Sequence, residues 1–302
     1  MTDITKLRIA LVGYGEVGNI FGAALADAGV ARVAAFDILV RDAAWAARAR
    51  SRHGGVHIAS TSGEATADAD LVICAVTAEQ TRTAAEQIAR DVRKDAFVLD
   101  VNSASPRTKT ACAQIVDGAG GRYVESAVMS SVPPHGIRVP MLLGGAHAQA
   151  LHPTLVALGF DAAVGSPELG VVSAVKLCRS VVIKGMEALF IESMLAARHY
   201  GVEDDVLASL AETFPSLDWE RQATWFWQRV VQHGKRRAEE MREAAVTVTD
   251  AGVVPRMASA TADVQAWIAG MRASGVFEEA TRDASFRDLS DRVRRAKRPA
   301  DA

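Results

Sequence analysis

Near its start the chain carries Leu7-Arg-Ile-Ala-Leu-Val-Gly13-Tyr-Gly15-Glu-Val-Gly18, an apolar run followed by a glycine-rich turn and an amphipathic continuation. Strand, turn and helix in this order are typical of the first unit of a dinucleotide-binding sheet. We expect Gly13 to form the tight turn and Gly15 to let a pyrophosphate approach the backbone. Gly18 lets the helix pack closely on the strand, with its N-terminus facing the anion. A glycine-rich turn that binds no ligand is the alternative interpretation.

A second apolar run, Arg32–Phe36, ends at Asp37, which lies 19 residues beyond Gly18. An acidic residue at this place can bind both ribose hydroxyls of the adenosine half. Because its charge would repel a 2′-phosphate, Asp37 favours NAD over NADP. Arg41 could bind that phosphate if Asp37 turned away, so NADP stays possible.

The candidate cofactor-binding residues share a place in this first unit or at the ends of the neighbouring strands. They are Gly13, Tyr14, Gly15, Glu16, Val17, Gly18, Asp37, Val76, Thr77 and Asn102.

Composition limits the classes of function that the chain can have. It has 302 residues, 49% of them hydrophobic, a net charge of -2 and a mean hydropathy of +0.09. These values are typical of a globular protein with room for two domains, and the small net charge predicts no nucleic-acid partner. The N-terminus has no signal-like apolar segment, and no run of about 18 apolar residues occurs, so we expect no membrane span.

Three isolated cysteines, Cys74, Cys112 and Cys178, have no metal-ligand spacing. We therefore expect no metal site, and a reduced, cytoplasmic protein.

The pattern of apolar residues in the sequence changes near residue 165. Before it, short β-rich runs alternate with helical patterns, which predicts an α/β fold: an N-terminal Rossmann domain with a doubly wound sheet. After it, apolar residues recur at intervals of three and four residues, which predicts an all-α C-terminal domain. The expected domains are 1–166 and 167–302. Further strands are expected at 71–76, 97–100, 122–125, 141–143 and 161–164. Helices are expected at 45–52, 79–89, 106–116, 147–158, 168–200, 204–212, 218–245 and 256–273.

The predicted helix 168–200 carries more apolar side chains than one small domain buries. They are Val172, Val175, Val182, Met186, Leu189 and Phe190. This surplus predicts a homodimer through the C-terminal helices. The same helix carries a polar stripe of Lys176, Ser180, Lys184 and Glu187 at helical spacing. The stripe is either a hydrogen-bonded interdomain contact or the position of an active-site lysine.

Small polar side chains follow two predicted strands. Asn102 and Ser103 stand at the carboxyl end of a parallel strand, where ligands of open α/β sheets bind. Ser105 is explained by capping the helix that begins at Pro106. A loop with Ser130 and Ser131 could contact a carboxylate.

In their order and intervals, the turn 13–18, the strand end 100–106, the loop 125–131 and the helix around 170–180 resemble the β-hydroxyacid dehydrogenases. This family includes 6-phosphogluconate and 3-hydroxyisobutyrate dehydrogenases. The segment 176–190 is similar to a phosphogluconate-dehydrogenase-like branch that has its own C-terminal helical domain.

The resemblance implies an NAD(P)-dependent dehydrogenase that acts on the CH–OH group of a small 3-hydroxy acid, or on its keto form. It implies that Lys176 is the general acid/base, that Ser103, Ser130 and Ser131 hold the substrate, and that Val76 and Thr77 line the cofactor channel.

Two departures from the family pattern alter the predicted pocket. The family loop usually reads Asp-Ala-Pro-Val-Ser-Gly-Gly, whereas here Met129 stands at the serine, and Ser130 and Ser131 stand at the glycines. Family members commonly have asparagine four residues after the lysine, where this chain has Ser180. Arg179, next to it, would suit a substrate carboxylate.

Two other functions remain open. Imine reductases share the two-domain layout with different proton donors, and a dinucleotide sensor would keep the fold without turnover. The basic segment 230–240 could also enter the cleft, or it could be a solvated helix face.

Overall fold

The structure is a computed structural model that describes residues 3–281 and 283–297. The chain divides into two compact units, Met1–Leu177 and Cys178–Ala302. The first is built around a sheet, and the second is helical. The predicted change of pattern along the chain therefore corresponds to a real change of architecture.

The N-terminal unit contains one eight-stranded sheet in the order β3-β2-β1-β4-β5-β6-β7-β8. Its strands are β1 Arg8–Val12, β2 Arg32–Phe36, β3 Val56–Ile58, β4 Leu71–Cys74, β5 Phe97–Asp100, β6 Arg122–Val128, β7 Met141–Gly144 and β8 Ala162–Ser166. Neighbouring strands are parallel except for the antiparallel pair of β6 and β7. The strand order reverses at β1 and β4, and this switch point is where open α/β sheets bind their ligands.

Seven α-helices lie entirely within the described part of this unit. They are α1 Glu16–Asp27, α2 Ala43–Arg52, α3 Ser62–Thr66, α4 Thr81–Asp91, α5 Pro106–Gly118, α6 Val132–His135 and α7 Ala148–Ala157. Alternate residues of β1 lie in separate cores: Ile9 and Leu11 in one, Ala10 and Val12 in the other. Because both faces of the sheet are covered, the predicted doubly wound fold is confirmed.

Local chemistry explains where these elements begin. Ser105 accepts a hydrogen bond from the amide of Thr108 at 3.3 Å, and Pro106 occupies the first turn of α5. The predicted cap is therefore confirmed. The strand Val56–Ile58 and the helix Ser62–Thr66 were not among the predicted elements, because three to five residues are too few to establish a periodicity.

The remaining helices are α8 Val171–Tyr200, α9 Glu203–Thr213, α10 Trp219–Asp250, α11 Arg256–Ala273 and α12 Phe286–Lys297. α8 has 30 residues, or about 45 Å at 1.5 Å per residue. The core of the C-terminal unit is rich in aromatic side chains, and Phe190 stacks on Trp219 with ring centroids 5.0 Å apart. This packing confirms an all-helical second unit.

The apolar surplus of α8 is smaller than the sequence suggested. Val172 and Phe190 are buried within the chain, so counting them among the side chains that one domain does not bury was wrong. Val175, Val182 and Leu189 remain 49%, 60% and 59% exposed. Their seven-residue spacing places them along one side of the helix.

Among the residues that the structure describes, no helix is long and apolar enough to cross a membrane. In the same residues, no group of three or more His, Cys, Asp or Glu side chains is placed to hold a metal ion.

Candidate active site

The glycine turn has the geometry that a dinucleotide requires. Gly13 has a φ of +94° and donates its amide to the carbonyl of Phe36 at 2.8 Å. A Cβ at Gly13 would collide with the carbonyl oxygen of Ala75, and one at Gly18 would collide with that of Gly13. At Gly15 a Cβ would meet nothing within 4 Å, and this residue caps the N-terminus of α1. The turn therefore leaves open space where the helix N-terminus can receive an anion.

The other residues of the turn play different parts. The Tyr14 side chain is completely buried, and its expected contact with the cofactor stays a prediction. Burial raises the pKa of its phenol. Glu16 is exposed in the first turn of α1, and Val17 is half-buried.

Asp37 is tied to the glycine turn. Its Oδ2 accepts a hydrogen bond from the amide of Tyr14 at 2.8 Å, and its Oδ1 accepts one from Leu39 at 3.0 Å. The end of β2 therefore holds the turn after β1 in place. Arg41 is exposed, whereas Arg52 donates to the carbonyl of Tyr14 at 3.1 Å. Sequence reasoning missed Arg52, because its distance along the chain gave no sign that α2 returns to the turn.

Asn102 links the ends of β4 and β5. Its Oδ1 accepts from the amide of Val76 at 2.7 Å, and its Nδ2 donates to Sγ of Cys74 at 3.3 Å. Both ends of the amide are therefore used inside the protein. Asn102 shapes the loop at Val76, and the expected direct contact with cofactor stays a prediction. Thr77 is exposed and Ser103 is half-buried beside this loop.

A buried charged group lies beneath the same loop. Nζ of Lys109 is 2.9 Å from Oδ1 of Asp100, and both side chains are almost completely inaccessible. The hydroxyl of Tyr123 donates to Oδ2 of Asp100 at 2.6 Å, and the amide of Asn102 donates to Oδ1 at 2.9 Å. The sequence did not reveal this group, because a lysine on a helix is usually exposed.

The loop after β6 carries Ser130 and Ser131, which are both exposed. Oγ of Ser130 lies 3.3 Å from Nε2 of His135. His135 is exposed at the end of α6, which agrees with a surface histidine.

The beginning of α8 is attached to the sheet through β6. Oε1 of Glu125 accepts from the amide of Gly170 at 2.6 Å, and Gly170 has a φ of +91°. Lys176 is half-buried in the second turn of the helix that begins at Val171. The N-terminal unit therefore contains both the glycine turn and Lys176.

The polar stripe of α8 continues into the C-terminal unit. Ser180 is buried there and its Oγ accepts from Nζ of Lys184 at 3.0 Å, whereas Arg179 is exposed. Lys184 forms an ion pair with Glu240 of α10 at 2.9 Å. Lys184 and Glu187 therefore have partners in α10 within their own unit.

Comparison with known proteins matches both units. Residues 8–152 match the NAD binding domain of 6-phosphogluconate dehydrogenase, and residues 197–268 match a domain of unknown function, DUF1932. A conserved hypothetical protein from Sinorhizobium meliloti is 33% identical, with a TM-score of 0.74 over 97% of this chain and 98% of that one.

Two further solved structures are similar along most of their length. A conserved protein of unknown function, described as structurally similar to 3-hydroxyacid dehydrogenases, is 28% identical, with a TM-score of 0.66 over 89% of this chain and 99% of that one. A 3-hydroxyisobutyrate dehydrogenase from Mycobacterium tuberculosis is 18% identical and shares the fold, with a TM-score of 0.68 over 96% and 99%.

The geometry of the glycine turn fits a dinucleotide, and the match of residues 8–152 to an NAD binding domain agrees with this interpretation. This protein therefore belongs to the β-hydroxyacid dehydrogenase family and is an NAD(P)-dependent oxidoreductase.

Proposed function

We propose that this oxidoreductase transfers hydride between NAD and a small 3-hydroxy acid or its keto form, with Lys176 as the general acid/base. The observation that carries the proposal is the hydrogen bond from Gly170 to Glu125. It attaches the helix that bears Lys176 to β6, in the same sheet whose β1 leads into the glycine turn.

The cofactor would be held mainly by main-chain groups. In our proposal the amides of Gly15 to Gly18, at the N-terminus of α1, bind the pyrophosphate, while Gly13 and Tyr14 shape the turn through their bonds to Phe36 and Asp37. Asp37 binds the adenosine ribose and selects NAD, while Val76, Thr77 and Asn102 shape the rest of the channel. When bound, the nicotinamide supplies or accepts the hydride.

In the proposed reaction, residues of this chain transfer the proton. During oxidation Nζ of Lys176 takes the hydroxyl proton as the carbon–hydrogen bond breaks, and during reduction it returns that proton to the carbonyl oxygen. A general acid/base works best when its pKa lies near the working pH.

Five side chains are proposed to hold the substrate: Ser103, Ser130, Ser131, Arg179 and Ser180. The exposed guanidinium of Arg179 can make a bidentate contact with a carboxylate. Ser180 accepts from Lys184, so its own O–H is left to donate. Serine in place of the family's asparagine supports a substrate pocket different from that of the sugar-phosphate enzymes.

The test is steady-state kinetics of Lys176→Ala on a panel of small 3-hydroxy acids at saturating NAD. We expect kcat to fall by about 10²–10⁴-fold, the usual contribution of general acid–base catalysis. NADH affinity, followed by nicotinamide fluorescence, should stay unchanged and serves as the control. Full turnover by the variant would remove Lys176 from this role.

The same panel separates the alternatives. Reduction of cyclic imines without activity on any hydroxy acid would identify an imine reductase. Binding of NADH without turnover of either class would identify a sensor.

We also propose a homodimer through the C-terminal helices, in a cytoplasmic protein. The seven-residue spacing of Val175, Val182 and Leu189 supports the dimer, and three free cysteines support a reducing compartment. Light scattering of the double variant Val182→Lys, Leu189→Lys should give half the mass of the native protein. A native monomer across a dilution series would contradict the dimer.

A further inference from the structure

The helical unit contains a charged cluster that its own ion pairs do not neutralise. The carboxylate of Glu187, on α8, is completely buried and accepts from Arg229 at 3.2 Å, from Arg237, and from Gln265 at 3.3 Å. Glu240 pairs with Lys184 on α8 and with Arg236 on its own helix. Arg237 and Glu240 are buried whereas Lys235 and Arg236 are exposed, so this part of α10 is a solvated helix face along one side only.

Cations outnumber carboxylates in this cluster. Its cations are Lys184 from α8, Arg229, Arg236 and Arg237 from α10, and Arg272 from α11. Among the residues that the structure describes, the carboxylates paired with these cations are Glu187 from α8 and Glu240 from α10. Arg272 donates to the carbonyls of Val231 and Gln232. Because these acceptors are neutral, they do not neutralise its positive charge.

His233 is close enough to four of these cations for their charges to act on it. It is half-buried on α10, and burial together with the charges of Arg236, Arg237, Arg229 and Arg272 lowers its pKa to about 4. At neutral pH the ring is therefore uncharged. It can still donate one N–H.

The cluster is open to solvent along one side of α10. The Arg236 side chain is 52% exposed and that of Arg229 is 27% exposed. The guanidinium of Arg229 lies 4.5 Å from the ring of Trp225, which is itself exposed. Positions 225, 229, 233 and 236 follow one another at helical spacing, so they share a face.

We propose that Arg229, His233 and Arg236 form a binding site for a small anion that carries a carboxylate or phosphate group. The proposal is independent of the redox function. Each guanidinium has five N–H donors. Arg236 uses Nη1 on Glu240, and Arg229 uses Nε on Glu187. Donors therefore remain for a planar anion, and arginine favours bidentate contacts of this kind.

The test is a titration of the full chain, without nucleotide, with inorganic phosphate and separately with malonate. The signal is the NMR resonance of the His233 ring in protein labelled on its seven histidines, with His233→Gln used to assign it. We expect a saturable shift and an increase in the pKa of His233, because an anion among the arginines stabilises the imidazolium. The tighter of the two probes identifies the preferred head group.

Two matched variants make the test decisive. Arg236→Gln should lower the affinity for the tighter-binding anion by about tenfold, in line with the loss of a charged hydrogen bond. Lys235→Gln removes the same charge from an exposed neighbouring position and should leave the affinity nearly unchanged. A shift that does not saturate with either probe, or an equal loss in both variants, would overturn the proposal.

Discussion

Gly170 donates its backbone N–H to Oε1 of Glu125 across 2.6 Å, in surroundings where the carboxyl group has no exposed surface. Glu125 belongs to β6, and Gly170 directly precedes α8. A carboxylate at the N-terminus of a helix is also favoured by the helix dipole. The contact therefore determines where the helix begins, at Val171, five residues before Lys176.

Replacing Glu125 should reduce both stability and turnover. Glu125→Ala leaves the amide of Gly170 without its acceptor, which costs about 1–3 kcal/mol. Because the start of α8 is then less well held, kcat should fall while NADH affinity changes little. Urea unfolding and steady-state kinetics measure the two effects. Glu125→Gln retains an acceptor oxygen and should be milder, and equal losses in the two variants would contradict this role.

Cofactor preference should depend on the charge of Asp37. Asp37→Asn keeps an oxygen that can accept from Tyr14 but removes the negative charge that repels a 2′-phosphate. We expect the ratio of NADPH to NADH affinity to rise at least about tenfold, the equivalent of about 1.4 kcal/mol. Fluorescence titrations measure it. Asp42→Asn changes the same charge at a helix cap and is the control. An unchanged ratio would remove Asp37 as the selector.

Removing only the lysine from the buried ion pair of Lys109 and Asp100 should destabilise the protein more than replacing both residues. Lys109→Met leaves a buried carboxylate without its cation, which costs about 3–5 kcal/mol. Adding Asp100→Asn should recover much of this loss in urea unfolding. The phenol of Tyr123 stays protonated and donates to Asp100, because burial raises its pKa well above the usual value. Lys94→Met, at an exposed position, is the control, and additive losses in the double variant would contradict the coupling.

Acid should destabilise the protein through His233. Its pKa is about 4 in the folded state and 6.5 as the ordinary value, so the unfolded chain binds a proton that the folded chain excludes. Stability therefore falls as the pH decreases from about 6.5 to about 4. His233→Gln should reduce that fall by about 1 kcal/mol, allowing for solvent screening of a half-buried ring. Unfolding in phosphate-free buffer measures it, and parallel pH curves for native protein and variant would exclude His233.

The arrangement of elements was largely predictable where periodicity was long. The alternation of strands and helices predicted the doubly wound sheet, and the three-to-four spacing predicted helices close to Glu203–Thr213 and Arg256–Ala273. The short elements Val56–Ile58 and Ser62–Thr66 were not predicted. Their positions depend on pairing and packing with distant residues, and such short segments carry little local signal.

By itself, the sequence determined the glycine turn, the acidic residue after β2 and the cap at Ser105, because these depend on conformations and spacings within one or two neighbouring elements. Only the tertiary structure decided that Glu125 holds the start of α8, that Lys109 is buried against Asp100, and that Arg229, His233 and Arg236 lie in an excess of positive charge. Each of these involves residues far apart in the chain. Their energetics depend on burial and on which charges meet, which are properties of packing and leave no local pattern in the sequence.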